Sequence, residues 1–414
     1  MAGARFTFPQ DGEQRTKAIT AAIAAGDLPR AIVGVRLELR CGRFKQTDVG
    51  TLVILADAFH KSRVHPVAFE VYQEFLTRAA PDDVRRPEVA FRAGLTAARH
   101  LRLYAAALPL LEKAADSHEE PQKAAMAAAE AMALKEALAV VVPQTDDMLL
   151  SGPVTVLRRT SGRIDISKVG RIVSETGGRA LADVTQMLRS SVGIIAADLE
   201  PIVAKRVAGR LQEEGVPAMI IPADRLVALP AAESVRLAGV DRRGIHLAVA
   251  GKGTPVVLKQ WDKVFYASAG RVRSQRMKTA FVDTGVEWRT GFYGGMGVKS
   301  GAPGWSIDPY RKRTEVVENT TVDIFTLDPF QCYRFVDGET GFLTLEVDRT
   351  QKRHSRLCDF MCEFLGCGIG VPIGEGAWIS ALDVTERRWR ELTFDSITNF
   401  DRYNYWRLQL EQYG

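Results

Sequence analysis

Residues 55–81, "LADAFHKSRVHPVAFEVYQEFLTRAAP", decide the fold of the N-terminal third of the chain. Their apolar residues recur at intervals of three and four positions, which is the period of an amphipathic helix. Short breakers separate several segments of this kind, and connections this short join helices into antiparallel hairpins. The breakers are Gly26-Asp27 and residues 41–46, 78–87 and 117–121. The sequence therefore predicts a domain of helical hairpins over residues 12–142.

A second stretch, residues 93–116, repeats the hairpin pattern. Its Leu95 corresponds to Ala56, which gives an offset of 39 residues (95 minus 56). The later positions of the pattern are Ala68, Tyr72 and Phe75 in the first hairpin and Ala107, Leu111 and Ala114 in the second. This arrangement resembles the tetratricopeptide repeat, whose period is about 34 residues and whose small residues let two helices approach closely. The resemblance implies a concave surface for protein partners, and a generic helical array without a bound peptide is the alternative.

The chain changes character after residue 142. The alternating residues 154–161, "VTVLRRTS", predict a half-buried strand. Three helices are then predicted over residues 168–178, 180–191 and 198–216, and "PAMIIPA", residues 217–223, predicts a closing strand. The sequence therefore predicts a small α/β domain over residues 153–230, with the order strand, three helices, strand.

Residues 153–222 resemble the C-terminal domain of the bacterial ribosomal stalk protein, which shares its general fold with the Clp protease adaptor. "KVGRIVSETGGRALADVTQML", residues 168–188, is similar to the helix-turn-helix of that family. "AKRVAGRLQEEGVPAMII", residues 204–221, is similar to its third helix, glycine turn and closing strand. In that family the first two helices present a basic face to translation factors. The resemblance implies that Lys168, Arg171 and Arg179 supply a partial version of this face.

Residues 233–414 predict a β-rich C-terminal domain. A hairpin is predicted around Asp241–Gly244, and short strands are predicted at residues 255–268, 321–327, 331–337 and 341–348. A helix follows at residues 353–366, so the prediction is an antiparallel β domain closed by a helix, with an architecture similar to a pleckstrin-homology barrel. The glycine-rich residues 291–304 fall between strands as an insertion.

The glycine-rich stretch "GFYGGMGVKS", residues 291–300, does not fit a phosphate-binding loop. That motif needs glycine at its first position and again directly before the lysine, where the backbone wraps the phosphates. Here those positions are Tyr293 and Val298. Pro303 and Gly304 follow, and they argue against the helix that such a loop must enter. We therefore expect no nucleotide at this loop.

The helix at residues 353–366 carries the weak candidates for a metal site: His354, Cys358, Cys362 and Cys367. His354, Cys358 and Cys362 share one face at intervals of four. Structural zinc favours closer cysteine pairs, and the surrounding phenylalanine and leucine residues make the helix apolar nearly all round. Core packing is therefore the favoured interpretation of these cysteines, with metal or redox chemistry as the alternative.

The remaining histidines form no ligand-type pair by their spacing, so the sequence predicts no metal site and no cofactor among them. They are His60, His65, His100, His118 and His246. The densest basic runs are residues 308–315 and 349–356, which include Tyr310, Arg311, Lys312 and Arg313. Nucleic acid or an anionic membrane surface could use these runs, and solvated loops between strands are the alternative.

Composition and charge favour a soluble protein that binds other proteins. The net charge of +5 is mild for 414 residues, and the first residues contain no apolar signal segment. Five cysteines in a chain of this length fit a reducing compartment, so we expect a cytoplasmic location. No catalytic constellation is evident. The prediction is a non-enzymatic adaptor or scaffold, with a binder of acidic lipid or nucleic acid through basic C-terminal loops as the first alternative and an enzyme using residues 358–367 as the last.

Overall fold

The computed structural model describes residues 12–41, 44–139, 142–143, 152–160, 164–190, 192–251, 257–281, 310–342, 354–382 and 392–413. It has a mixed α+β architecture, as the sequence predicts. The helices are α1 (Gly12–Ala24), α2 (Leu28–Cys41), α3 (Val49–Lys61), α4 (His65–Arg78), α5 (Arg86–Leu95), α6 (Tyr104–Ser117), α7 (Pro121–Ala139), α8 (Ile166–Gly177), α9 (Leu181–Ser190), α10 (Pro201–Glu213), α11 (His354–Cys367), α12 (Glu375–Leu382) and α13 (Ile397–Tyr413). A short π-helix, Thr96–His100, lies between α5 and α6.

The strands form two sheets. They are β1 (Val142–Pro143), β2 (Val154–Arg158), β3 (Ile194–Leu199), β4 (Ala218–Pro222), β5 (Ala232–Asp241), β6 (Gly244–Val249), β7 (Val257–Gln260), β8 (Val264–Phe281), β9 (Tyr310–Thr326), β10 (Gln331–Val336), β11 (Gly341–Phe342) and β12 (Thr393–Phe394). The smaller sheet has the order β1-β4-β2-β3, and the larger one runs β12-β8-β9-β10-β5-β6-β7 with β11 beside β5.

The N-terminal helices form the predicted hairpins, and each predicted breaker falls between two helices. Asp48 begins α3 by accepting a hydrogen bond from the backbone N–H of Thr51, and Pro66 lies in the first turn of α4, where its missing N–H costs nothing. The small residues of the repeated pattern, Ala56, Ala68 and Ala107, are fully buried. Residues this small leave room for neighbouring helices to approach closely.

The middle unit contains one strand more than the sequence prediction. Strand β3 lies between α9 and α10, and α10 begins at Pro201 rather than at residue 198. The short apolar run of β3 directly precedes the helix start, so its period could not be separated from that of the helix. The prediction of three consecutive helices was therefore wrong at this point. Strand β1 also joins this sheet by pairing in parallel with β4, at Val142 opposite Met219.

The C-terminal sheet is mixed rather than antiparallel throughout. Strands β5 to β7 and β8 to β10 form antiparallel neighbours, but β10 and β11 pair with β5 in parallel and β12 pairs with β8 in parallel. The prediction of an antiparallel domain was wrong for these pairs, because strands distant in sequence meet there. Within the described residues the strand order runs from β12 to β7 without closing into a barrel.

Helices cover both faces of strand β8. Gly376 in α12 packs directly against the backbone of Ala269, and a side chain there would overlap the carbonyl oxygen of Ala269. Gly270 faces Phe394 and Phe400 on the opposite side, where α13 lies. The aromatic C-terminal segment is therefore buried as a helix of the core rather than exposed as a tail.

One apolar core joins the N-terminal helices to the C-terminal sheet. It includes Leu52 and Phe59 of α3, Phe335 of β10 and Phe360 of α11. A buried ion pair between Arg36 of α2 and Asp359 of α11 lies at this junction. The middle unit has a core of its own, between its sheet and α8 to α10. No helix within the described residues is both long and apolar enough to span a membrane.

Candidate metal centre

Three histidines from three different helix ends meet in the helical domain. His60 lies in the last turn of α3, His65 is the first residue of α4, and His100 ends the π-helix. One ring nitrogen from each histidine can be chosen so that all three atoms lie within 4.8 Å of one another. Tetrahedral zinc with bonds of about 2.0–2.1 Å needs ligand nitrogens about 3.3 Å apart, so nitrogens separated by up to 4.8 Å would have to approach one another by up to about 1.5 Å (4.8 minus 3.3).

The turn between α3 and α4 brings His60 and His65 together. The N–H of Val64 donates to the carbonyl of Phe59, and the N–H of Arg63 donates to the carbonyl of His60. These two bonds form the Schellman motif, which ends a helix with one residue in the left-handed conformation. Arg63 occupies that position with φ 61°, where glycine is the usual residue. The tight turn returns the chain at once, so His65 begins α4 beside the end of α3.

The π-helix places the third histidine. Residues 96–100 form i→i+5 hydrogen bonds, a geometry that is rare and often found at functional sites. The N–H of Leu103 donates to the carbonyl of Ala97, and Arg102 takes a left-handed conformation with φ 53°. The wider turn changes the direction of the side chains that follow it around the helix axis, and His100 lies at its end.

A neighbouring threonine fixes the tautomer of His60. The Thr96 hydroxyl donates its single proton to the carbonyl of Arg92 at 2.8 Å. Its oxygen lies 3.3 Å from Nδ1 of His60, and it can only accept there. Nδ1 of His60 therefore carries the proton, and Nε2 keeps the lone pair that a metal ion needs. Second partners of this kind orient most metal-binding histidines in proteins.

His65 contains the least satisfied polar atom of the cluster. Its Nδ1 is buried, and no hydrogen-bond partner for it exists among the described residues. The pKa of His65 is lowered to about 4, chiefly by burial and further by the nearby His100, His60 and Arg63. Burial, His60 and Arg99 also lower the pKa of His100. Both rings are thus neutral at physiological pH, which is the form that binds metal ions.

The rings are packed face to face and edge to face. His65 and His100 stack at a centroid distance of 3.7 Å and an interplanar angle of 3°, and His60 meets both rings edge-on. The lone pair of an imidazole nitrogen lies in the ring plane, so two stacked rings direct their lone pairs side by side. Coordination of one ion would require the stacked pair to tilt, which rotation about χ2 of either histidine supplies.

A pocket of about 480 Å³ opens beside the histidines, between the second and third hairpins. It is lined by Asp57, His60, Lys61, Tyr72, Arg92, Leu95, Arg99 and His100. Asp57 accepts hydrogen bonds from the Tyr72 hydroxyl and from Arg92, so its carboxylate is already engaged. Burial and the bond to Asp57 raise the pKa of Tyr72 above its usual range. The pocket wall is therefore fixed by the Asp57 network, and His100, which also lines the pocket, is exposed.

The sequence prediction missed this cluster. The spacing of these histidines predicted no ligand-type pair, and the structure nevertheless brings ring nitrogens of His60, His65 and His100 within 4.8 Å of one another. The three residues are separated by 5 and 35 positions and meet only because two left-handed arginines close two turns. The sequence did contain one indication: His60 and His100 occupy similar positions in the two repeated hairpins.

The predicted cysteine candidates have a packed environment. Cys362 is fully buried, and its thiol donates to the carbonyl of Ala381 at 3.2 Å. Burial and the carboxylate of Glu363 raise the pKa of Cys367 to about 11, so this thiol stays protonated at neutral pH. Cys358 is half-buried, and the side chain of His354 lies outside the described residues. These surroundings fit core packing better than metal or redox chemistry.

The predicted partner-binding residues lie in two places. Lys168 pairs with Glu214, and Arg179 donates to the backbone carbonyls of Ala197 and Asp198. Arg171 is exposed on α8. Tyr310–Arg313 were expected in a loop, but they form the first residues of strand β9. The glycine-rich residues 291–304 lie outside the described residues.

Compared with protein-family models, curated proteins and solved structures, the chain gives no match.

Proposed function

We propose that the protein binds one divalent transition-metal ion, with zinc as the first candidate, through His60, His65 and His100. Three imidazoles suit zinc, copper, nickel or iron rather than magnesium or calcium, which prefer oxygen ligands. Sites with three protein ligands leave a fourth position for water or a further ligand. Here that position would face the pocket of about 480 Å³.

Two observations carry this proposal: ring nitrogens of the three histidines lie within 4.8 Å of one another, and Nδ1 of His65 in the same cluster is buried without a hydrogen-bond partner among the described residues. A buried polar atom without a partner costs about 1–3 kcal/mol, so proteins keep few of them. A metal ion bound to Nδ1 of His65 would remove that cost, whereas ring packing alone leaves it in place.

Calorimetric titration of chelator-treated protein with zinc at pH 7.5 tests the proposal. We expect one equivalent of zinc to bind to the native chain. Changing the exposed ligand, His100→Gln, should weaken binding by more than about 100-fold, because loss of even an outer partner of a ligand costs 10–100-fold. Cobalt provides a second readout, since tetrahedral coordination gives it strong visible absorption.

His246→Gln is the matched control, because His246 lies on β6 and pairs with Asp241 in the C-terminal sheet. It should leave zinc binding unchanged. Binding of no stoichiometric metal, or equal losses in both variants, would refute the proposed site.

A second proposal is that the chain is an adaptor that holds a protein partner on the outer face of α7. This last helix of the array carries exposed Met126 (56%) and Met132 (61%) among exposed alanines. Terminal helices of repeat arrays usually present a polar outer face, and exposed apolar patches often mark protein-binding surfaces.

We also propose that residues 153–222 adopt a fold similar to the stalk-protein domain. The order of α8, α9, α10 and β4 along the chain supports this resemblance.

Met132→Glu tests the adaptor proposal, with Ile202→Glu as control, since Ile202 is equally exposed on α10 (66%). Quantitative affinity purification should lose a defined partner with Met132→Glu and retain it with Ile202→Glu. A partner set that responds to neither change would rule out α7 as its binding face.

A further inference from the structure

The pocket beside the three histidines has an excess of positive charge. Among the described residues its lining contains three cations, Lys61, Arg92 and Arg99, and one acid, Asp57. Counted without its histidines, the lining has a net charge of +2 (three minus one). Leu95 is the one aliphatic residue among those that line it. Pockets for apolar ligands are lined mainly by hydrophobic and aromatic side chains, so this lining indicates a small and strongly polar anion.

The carboxylate of the lining holds one of these cations in place. Asp57 accepts from the Tyr72 hydroxyl through Oδ1 and from Arg92 through Oδ2, so both of its oxygens are engaged. Nε of Arg92 donates to Glu88 at 2.8 Å, and Glu88 is not a lining residue. A guanidinium has five N–H donors, so Arg92 can bind a further anion while it keeps both carboxylates. The network therefore positions this cation before a ligand arrives.

The other two cations are exposed and available to a ligand. Arg99 forms an ion pair with Glu130 of α7, which does not line the pocket. Exposed ion pairs are weak in water, so an anion in the pocket can compete with Glu130. Lys61 is the last residue of α3, and it forms no ion pair with any residue that the structure describes.

We propose that this pocket binds the phosphate group of a small molecule, through Lys61, Arg92, Arg99 and the open position of the metal ion. The inference rests on the proposed metal site, since His60 and His100 line the same pocket. A phosphate monoester carries a charge of about −1.5 to −2 at pH 7 and three strong acceptor oxygens. That charge matches the net charge of the lining, and arginine and lysine are the side chains that most often bind phosphate.

The number of cations favours phosphate over a carboxylate. A carboxylate has two oxygens in one plane, and a single arginine can bind both of them. Three cations and a metal position suit a tetrahedral group with three free oxygens better. The volume of about 480 Å³ lies within the range of small-molecule sites, about 300–1,000 Å³, and leaves room for an organic group on the phosphate.

Calorimetric titration of the full-length, zinc-loaded protein with inorganic phosphate and with phenyl phosphate tests this proposal. We expect one equivalent to bind, with an affinity that falls as the salt concentration rises. Lys61→Gln and Arg99→Gln should each weaken phosphate binding about fivefold at low salt, because each removes one exposed cation. Lys113→Gln is the matched control for Lys61→Gln. Lys113 is exposed on α6 outside the pocket lining, and its substitution should leave the phosphate affinity within twofold.

Cobalt-loaded protein shows whether phosphate reaches the metal ion. Its visible absorption should change when phosphate is added, because an oxygen of the ligand enters the coordination sphere. An unchanged spectrum would refute coordination by the metal ion. Tighter binding of phenyl phosphate than of inorganic phosphate identifies an ester as the ligand, and the reverse order identifies free phosphate.

Zinc affinity is measured for every variant, which separates loss of the metal from loss of the phosphate. Zinc binding without phosphate binding would overturn this inference and leave the metal site standing. If the chain binds no zinc, both proposals fail. Equal phosphate affinity in Lys61→Gln, Arg99→Gln and Lys113→Gln would refute the pocket as the binding site. Tighter binding of succinate than of phosphate would overturn phosphate as the ligand class.

Discussion

A single hydroxyl group positions the proton of His60. Thr96 donates to the carbonyl of Arg92 and accepts from Nδ1 of His60, so Nε2 is the nitrogen available for a metal. Thr96→Val keeps the shape of the side chain and removes that acceptor. Zinc affinity should fall by about 10–100-fold, as is usual when a ligating histidine loses its outer partner. Long-range nitrogen NMR should show a change in the tautomer of His60.

Thr77→Val is the control for this prediction. Thr77 makes the same type of bond to the carbonyl four residues earlier, but it is exposed and its hydroxyl contacts no histidine. Its substitution should leave zinc affinity unchanged. If Thr77→Val lowers the affinity as much as Thr96→Val, the orienting role of Thr96 is wrong.

His65 links folding stability to pH. Its pKa is lowered from 6.5 to about 4 in the folded chain, so between these values the unfolded chain binds more protons than the folded one. Above pH 6.5 His65 should therefore not reduce the free energy of unfolding. As the pH drops from 6.5 toward 4, the free energy of unfolding should fall. After allowance for solvent screening, the loss is on the order of 1–2 kcal/mol.

Urea unfolding of the native chain and of His65→Gln at pH 7.5 and pH 5 measures this contribution. The difference in stability between the two pH values should be smaller in His65→Gln. An identical pH dependence in both proteins would show that His65 does not titrate as described.

The residues that the sequence could predict were those with a repeated pattern. Ala56, Ala68 and Ala107 are buried as their spacing indicates, because helix packing depends on local period. The histidine cluster could not be predicted in this way. It depends on Arg63 and Arg102 in left-handed conformations, where the sequence offers no glycine to mark the turn.

Helix α12 depends on one glycine for its contact with β8. In Gly376→Ala the new methyl group would overlap the backbone oxygen of Ala269, and neither group can move without displacing a helix or a strand. We expect the free energy of unfolding to fall by at least about 3 kcal/mol, which is at or above the upper end of the usual cost of overpacking a core. Chemical denaturation of the purified variant measures it.

Gly209→Ala isolates the steric effect in Gly376→Ala. Gly209 is also inside a helix, α10, but a side chain there would meet nothing within 4 Å. Because alanine favours helices over glycine, Gly209→Ala should stabilise the protein by about 0.5–1 kcal/mol. Destabilisation of the same size in both variants would mean that the tight packing of α12 on β8 is not the cause.

At the scale of elements, local patterns were predicted well and long-range pairings were not. The hairpin at Asp241–Gly244 and the helix carrying Cys362 appear where the sequence places them. Strand β3 was missed because its apolar run merges with the start of α10. The parallel pairing of β10 with β5 joins residues about 100 positions apart, Cys332 with Ala232, and no local pattern encodes such a partner.

At the scale of the whole molecule, we expect the helical domain and the C-terminal sheet to unfold together, because they share one core. All six tryptophans lie at or after residue 261, whereas Leu52 lies in α3 and is fully buried in the shared core. Leu52→Ala should cost about 2–5 kcal/mol. Helix circular dichroism and tryptophan fluorescence should both shift to lower denaturant concentration and stay coincident.

A helical transition that moves alone, with tryptophan fluorescence unchanged, would contradict the shared core. The sequence prediction divided the chain into three regions, and it could not reveal this joint core. The apolar faces of α2 and α11 look like ordinary helix faces in the sequence, and only the fold brings Arg36 and Asp359 into contact.

The junction between α2 and α11 has a consequence for synthesis on the ribosome. Arg36 and Asp359 are separated by 323 positions, and a ribosome adds about 5–20 residues per second, so α2 waits roughly 15–65 seconds for its partner helix to be made. The middle unit, which has its own core, is completed during that interval. The nascent chain therefore carries an uncovered helical face while a finished unit forms behind it, and that face is where we expect chaperones to engage newly made protein.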